Sequence, residues 1–194
     1  MTANTKNIRI EQAYFDDEQL KFCEHELIDC RERCEPGFES SLIHDSLNRG
    51  VHKDVDYYGL FSWQFNRKII KRHPNGLPNK TNIETYLNTH DPDVLSFWGW
   101  KRDVRMITQA TRMHSRFMEV LKYTLEVCGI PYRDAVERQK GSFVIMSNYW
   151  IAKPNVWDDY KTTVLDPFFK AEETDDAFRQ LLWQNSGYFK NEPF

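Results

Sequence analysis

The chain has 194 residues, with 26 Lys and Arg against 29 Asp and Glu, a formal charge of −3. That balance excludes the clustered positive surface needed to grip a phosphate backbone, so no nucleic-acid partner is expected. Six Trp, nine Tyr and 13 Phe exclude a disordered chain, and only eight Gly and eight Pro exclude collagen-like or low-complexity classes.

Residues 1–7 are polar. The alternating run Ile8–Tyr14 predicts a first strand. Asp16-Asp17-Glu18 then opens a short helix carrying Leu20 and Phe22, with its acidic residues at the positive end of the helix dipole. The stretch from Glu24 to Glu35 is dense in charge and yields no assignable element, and Pro36-Gly37 punctuates it. A helix follows, with Phe38, Leu42, Ile43 and Leu47 on one face and Gly50 as its stop. Tyr57 to Trp63 is a continuous aromatic-rich run bounded by charge, and its length favours a buried strand over Tyr57–Ser62.

Gln64 to Arg72 reads as a basic helix, and His73 to Pro78 as a loop by its turn residues. A helix with Ile83, Tyr86 and Leu87 starts near Asn82 and stops at Asp91-Pro92-Asp93, and Val94 to Trp98 gives a third buried strand. The longest helical region is Arg102 to Cys128, with a break near Thr111. Met113, Phe117, Val120, Leu121, Leu125 and Cys128 recur there at helical spacing, and Gly129 and Pro131 end it. Ser142–Ser147 is a fourth strand, its apolar run continuing through Asn148 to Ala152. Pro154 suits the first turn of a helix that buries Val156, Trp157, Tyr160, Val164 and Leu165, and Pro167 ends or kinks it. A short amphipathic segment from Thr174 reaches Trp183, and Gly187 stops it. No repeat or linker divides the chain, so one domain over residues 1–194 is expected.

Continuous apolar strands alternating with helices predict an α/β fold, with a mainly parallel central sheet covered by helices on both faces. Ligands of such sheets sit beyond the carboxyl ends of the strands. No run approaches the roughly 18 apolar residues of a membrane span. Met1 to Arg9 lacks an apolar core, so no secretory signal is read. The cysteines, at 23, 30, 34 and 128, are therefore expected reduced and metal-free in the cytoplasm.

Dinucleotide, P-loop, zincin, α/β-hydrolase and kinase signatures are all missing from the sequence. Three constellations remain. Asp91 and Asp93, two residues apart, can share a divalent metal and so hold a diphosphate, or they can simply form a turn. Ser147, Asn148, Tyr149 and Trp150 combine an amide, hydroxyls and ring faces inside an apolar run. That mixture suits a sugar, whose C–H faces stack while its hydroxyls bond, or it finishes a strand. Cys23, Cys30 and Cys34 with His25 and His44 match no zinc spacing and read as free thiols.

Four segments in order resemble known sequences. Ile8 to Phe15 followed by an acidic turn resembles the opening strand of sugar-nucleotide-type glycosyltransferases. The other three blocks are Tyr57 to Phe65, Asp91 to Trp98 and Ser147 to Tyr160. They resemble segments of a bacterial glycosyltransferase-like family found among polysaccharide-synthesis proteins, the last block most specifically. The resemblance implies a nucleotide-diphospho-sugar transferase fold of the GT-A, Rossmann-like kind. It implies a nucleotide-sugar donor, a glycan or other hydroxyl acceptor, and a divalent cation, manganese or magnesium, held by Asp91 and Asp93. Ser147, Asn148, Tyr149 and Trp150 would line the sugar site, with Lys153 near a phosphate or acceptor. The alternative is a non-catalytic glycan-binding or assembly protein of a bacterium or phage with a degenerate form of the same fold.

Overall fold

The computed structural model describes residues 5–33, 38–70, 79–97, 99–100, 111, 116–137, 144–145 and 149–183. The strands are β1 (Ile8–Tyr14), β2 (Glu26–Asp29), β3 (Tyr57–Ser62), β4 (Val94–Ser96), β5 (Gly99–Trp100), β6 (Val144–Ile145) and β7 (Trp150–Ala152). The helices are α1 (Phe38–Asn48), α2 (Gln64–Ile70), α3 (Lys80–His90), α4 (Phe117–Val127), α5 (Tyr132–Glu137), α6 (Pro154–Tyr160), α7 (Asp166–Thr174) and α8 (Asp176–Trp183). A 3-10 helix spans Asp17–Phe22. The chain divides into two compact units, Met1–Trp98 with Ser147–Tyr160, and Gly99–Met146 with Lys161–Phe194.

The first unit is built on a five-stranded sheet in the order β2-β1-β3-β7-β4. β1 pairs in parallel with both β2 and β3. β7 runs antiparallel to β3 and to β4. β1 to β4 therefore all point one way and β7 is reversed among them. The fold is α/β as expected, but the sheet is mixed rather than mainly parallel. A short strand buried on both faces carries no mark of its direction, so Trp150–Ala152 reads alike either way round.

Every residue of β3 is buried, and Phe61, Phe65, Phe97, Tyr149 and Ile151 share one core with Ile10, Ile83 and Leu87. Gly59 makes the β3–β7 pairing possible. A methyl group there would lie 2.7 Å from Ile151 Cγ1 and 3.3 Å from the Trp150 carbonyl. The fully buried Trp157 of α6 donates its indole N–H to the Tyr58 carbonyl at 2.8 Å and stacks on Trp150 at 3.8 Å, fixing α6 against β3 and β7. α1 ends where the sequence places a stop, with Gly50 at φ +73°. Asn79 caps α3 through the Asn82 N–H at 2.8 Å.

Val94–Ser96 is a strand, at the sheet edge rather than the centre. The other edge is β2, which arises from the charge-dense stretch left without an element. It carries acids at both ends and leaves Leu27 53% exposed, the composition of an edge strand rather than a core one. Cys23 and Cys30 are free thiols, as is Cys128 of the second unit, and Cys34 lies outside the described residues.

In the second unit β5 and β6 form a separate antiparallel pair, so Val144–Ile145, from the expected fourth strand, is not part of the five-stranded sheet. Of the long helix expected over Arg102 to Cys128, Thr111 and α4 are described and helical. Gly129 at φ +64° follows α4, and α5 begins directly after Pro131. Tyr123 of α4 donates to Asp175 at 2.6 Å and stacks on Phe178 at 4.9 Å. Asp175 in turn accepts from the N–H groups of Ala177 and Phe178, capping α8. Pro167 sits in the first turn of α7, after a π-helical turn over Lys161–Leu165, where its missing N–H costs nothing. No helix among the described residues is long and apolar enough to cross a membrane.

Candidate functional site

The direction of the strands gives the first unit's sheet two chemically different edges. The amino edge holds Asn7, Tyr57, Asp93 and, because β7 is reversed, Lys153. The carboxyl edge holds Tyr14, Asp29, Ser62 and Phe97, with Tyr149 leading into β7. The Lys153 N–H donates to the Asp93 carbonyl and the Phe97 N–H to the Tyr149 carbonyl, so these two contacts bracket the β4–β7 ladder. Three strand residues, four residue steps, separate them, about 13 Å at ~3.3 Å a step.

This spacing decides which expected site residues meet. Asp91, Asp93 and Lys153 are together at the amino edge. Tyr149 is at the far end of the ladder, and Trp150 turns its ring onto Trp157. Ser147 and Asn148 lie outside the described residues.

At the amino edge, Asp91 terminates α3 in the left-handed conformation, φ +47°, which aspartate tolerates better than most residues. Its Oδ1 takes Lys6 Nζ at 2.5 Å and the Tyr57 hydroxyl at 2.8 Å, with Lys153 Nζ at 3.3 Å. Lys153 Nζ also reaches Asp93 Oδ1 at 3.0 Å. The hydrogen bonds from Lys6, Tyr57 and Lys153 hold the Asp91 carboxyl well below the usual carboxylate range. Burial, then Asp91 itself, pushes the Tyr57 phenol up. Asp93, hydrogen-bonded, likewise raises the Lys153 ammonium. Two ammonium groups thus already face the two carboxylates, and this donor set does not suit a divalent cation, which would have to displace both lysines. Among the described residues no group of three or more His, Cys, Asp or Glu is gathered as a metal site.

The carboxyl edge is aromatic and buried. The Tyr149 ring is 1% exposed, and its hydroxyl lies 2.9 Å from Ser62 Oγ. Burial raises the phenol, with the Ser62 bond pulling the other way. Lys68 Nζ lies 5.8 Å from the centre of the Tyr149 ring. Burial lowers the Lys68 ammonium against the opposing pull of Glu39, in the first turn of α1. One residue past β3, Trp63 packs on Phe22 at 5.8 Å, and the Arg67 guanidinium lies over both rings. The buried Gln12 ties this edge together, donating to the Ser62 carbonyl and accepting from the Glu24 N–H. Both amide atoms of Asn66, 4% exposed on α2, are buried without a hydrogen-bond partner among the described residues. At the ends of β1 and β2, Arg31 bridges Asp29 and Asp17 and lies over the Tyr14 ring.

This edge can offer a polar ligand hydroxyl and amide groups, ring faces and one half-buried ammonium. Trp63, Asn66 and Lys68 are not singled out by motif, and Ser62 only as a position of the Tyr57 to Phe65 block. The signal that finds them is position, immediately after a strand buried along its whole length.

No protein-family profile matches the chain, and no curated protein or solved structure is significantly similar to it.

Proposed function

We propose that the chain is a glycosyltransferase-like protein that takes a nucleotide-diphosphate sugar at the carboxyl edge of the first unit's sheet and passes the sugar to a glycan or other hydroxyl acceptor. The family reading comes from the four sequence blocks. The observation that carries it to a location is the reversed β7, which sets Tyr149, next in the chain to Ser147 and Asn148, beside Ser62 at the carboxyl edge. Open α/β sheets take their ligands at that edge, and the GT-A kind of fold belongs to this proposal through the sequence resemblance alone.

In the transfer, the acceptor hydroxyl oxygen bonds to the anomeric carbon as the bond from that carbon to the diphosphate breaks; the diphosphate leaves with the electron pair, and the hydroxyl proton passes to water. Lys68 supplies positive charge on this edge, and Tyr149 and Ser62 supply hydroxyls for the sugar. A manganese or magnesium ion would, if bound, offset charge on a diphosphate, and no described residue, Asp91 and Asp93 included, is assigned to hold it.

The second reading, a non-catalytic glycan-binding or assembly protein, is favoured by that same acid pair, because the carboxylates that the resemblance assigns to the metal are taken up by lysines. Thermal unfolding with a panel of nucleotide sugars, with and without manganese, and with free oligosaccharides separates the two. One nucleotide sugar should raise the midpoint, by the equivalent of about 2.7 kcal/mol at a hundred times its Kd, and Tyr149→Phe and Lys68→Ala should reduce that rise. A rise with an oligosaccharide alone selects the second reading. No rise with any ligand defeats both.

A further inference from the structure

The amino edge of the same sheet contains a cleft unconnected with that proposal. β2 starts at Glu26, opposite Glu11, three residues after β1 begins. Ile8–Ile10 therefore have β3 on one side and, among the described residues, no strand on the other. The notch opens into a cleft of about 370 Å³, within the range of small-molecule sites. Ile8, Ile10 and Val55 contribute to its apolar wall; Arg9 and Glu26 line it as an ion pair at 2.7 Å, and His25, Asp54 and Lys80 are among its other polar groups.

Two of these groups carry opposite charges and do not meet each other. Asn7 Nδ2 holds the Asp54 carbonyl at 2.9 Å, fixing the loop, while the Asp54 carboxylate has no ion-pair partner among the described residues. Lys80 opens α3, whose first turn carries no acid, so its ammonium and the positive helix end act together. His25 packs edge-on against Phe61 at 5.8 Å and beside Phe65 at 6.0 Å, and neither ring nitrogen has a hydrogen-bond partner among the described residues. Burial, reinforced by Lys80, pulls its pKa down to about 4, so the ring is neutral. The neutral ring adds no charge to the two poles.

We propose that this cleft binds a small aliphatic zwitterion of the amino-acid type, its carboxylate at Lys80 and the α3 amino end, its ammonium at Asp54, and its side chain on Ile8, Ile10 and Val55. A simple anion would leave Asp54 facing it, and a simple cation would leave Lys80 facing it. Only a ligand with both charges satisfies both, and the apolar wall selects an aliphatic body. A free amino acid and a short peptide share this chemistry, and they differ in the separation of their charges.

Titration calorimetry of the full chain tests it, using leucine, leucyl-leucine, and the two half-ligands 3-methylbutylamine and 4-methylpentanoate. Leucine or the dipeptide should bind, and the tighter of the two identifies the source. Each half-ligand should bind at least about tenfold more weakly. Lys80→Ala and Asp54→Asn lie at exposed positions and should fold normally, as circular dichroism would verify, yet each should lower affinity by about tenfold or more. No binding of either zwitterion at about 10 mM, a half-ligand that binds as well as leucine, or unchanged affinity in both folded variants would overturn the proposal.

Discussion

The two ends of the β4–β7 ladder use the same strands to different effect. At the amino end, Lys6 and Lys153 meet Asp91 and Asp93 in an ion network largely open to water, with the two carboxylates 61% and 76% exposed. At the carboxyl end, Tyr149 and Ser62 are buried and bonded to each other, with a half-buried Lys68 beside them. Exposed ion pairs are screened by water and contribute little. Buried polar groups cost a great deal if left unpaired, so each needs a partner or a ligand. The charge-rich end therefore reads as a clasp for the chain termini of the strands. The charge-poor end is the one proposed above to meet a ligand, which would exchange partners with the Ser62–Tyr149 hydrogen bond.

The strand joining the two ends is held by Trp157, so the largest effect should come there. Trp157→Ala removes a fully buried indole, its stack on Trp150 and its bond to the Tyr58 carbonyl. A loss of about 3–5 kcal/mol is expected in denaturant unfolding. A loss below about 1 kcal/mol would mean that β7 is held by something other than this contact, and the contrast between its ends would lose its anchor.

Acid should come next. The folded pKa of His25 is about 4 against an ordinary 6.5, because burial and Lys80 disfavour its charged form. The unfolded chain therefore takes up a proton first. Stability should be unaffected by this group above about pH 6.5 and should fall as pH drops towards 4, by up to about 3 kcal/mol. His25→Phe, which keeps the ring contacts, should remove that slope. Asp91 loses stability in the same direction, as pH falls, but in a lower window. Its carboxyl is held low, so its stabilisation is present above the ordinary carboxylate pKa and fades only in stronger acid. The two groups can thus be told apart by pH window in one titration.

Gly59→Ala should follow, at about 1–3 kcal/mol. The added methyl meets Ile151 Cγ1 at 2.7 Å, and Ile151 sits in the common core with no room to retreat. Spectroscopic evidence of a normally packed sheet with unchanged stability would show that β3 and β7 approach less closely than described.

The sequence makes some of this legible and hides the rest for physical reasons. Runs such as Tyr57 to Ser62 announce burial because every position is apolar or small, whichever face it meets. The stop at Asp91 is legible because aspartate before proline favours a turn, and the left-handed Asp91 is that turn. Its partners are not legible, since Lys6 lies 85 residues away and Lys153 62. Tyr149 stands out as an aromatic in an apolar run, but its hydroxyl partner Ser62 is 87 residues distant. β2 escapes because a short edge strand with charged ends has no apolar period to detect. The reversed direction of β7 escapes because hydrophobicity has no sense along the chain.

The smallest effect on stability should be the most informative about function. Asp93 is exposed, and its carboxylate meets only Lys153 among the described partners, so Asp93→Ala should cost no more than about 1 kcal/mol. Lys153 keeps Asp91 within 3.3 Å and its backbone bond to the Asp93 carbonyl, so the ladder end stays closed without the side chain. If the ligand site belongs to the carboxyl edge, any nucleotide-sugar stabilisation should survive Asp93→Ala with its manganese dependence intact. It should be reduced in Tyr149→Phe, which deletes only a buried hydroxyl. The reverse pattern, loss in Asp93→Ala and retention in Tyr149→Phe, would move the site to the amino edge. Lys6 and Lys153 would then have to release the carboxylates when a cation arrives, and salt, which screens these exposed pairs, should ease that release.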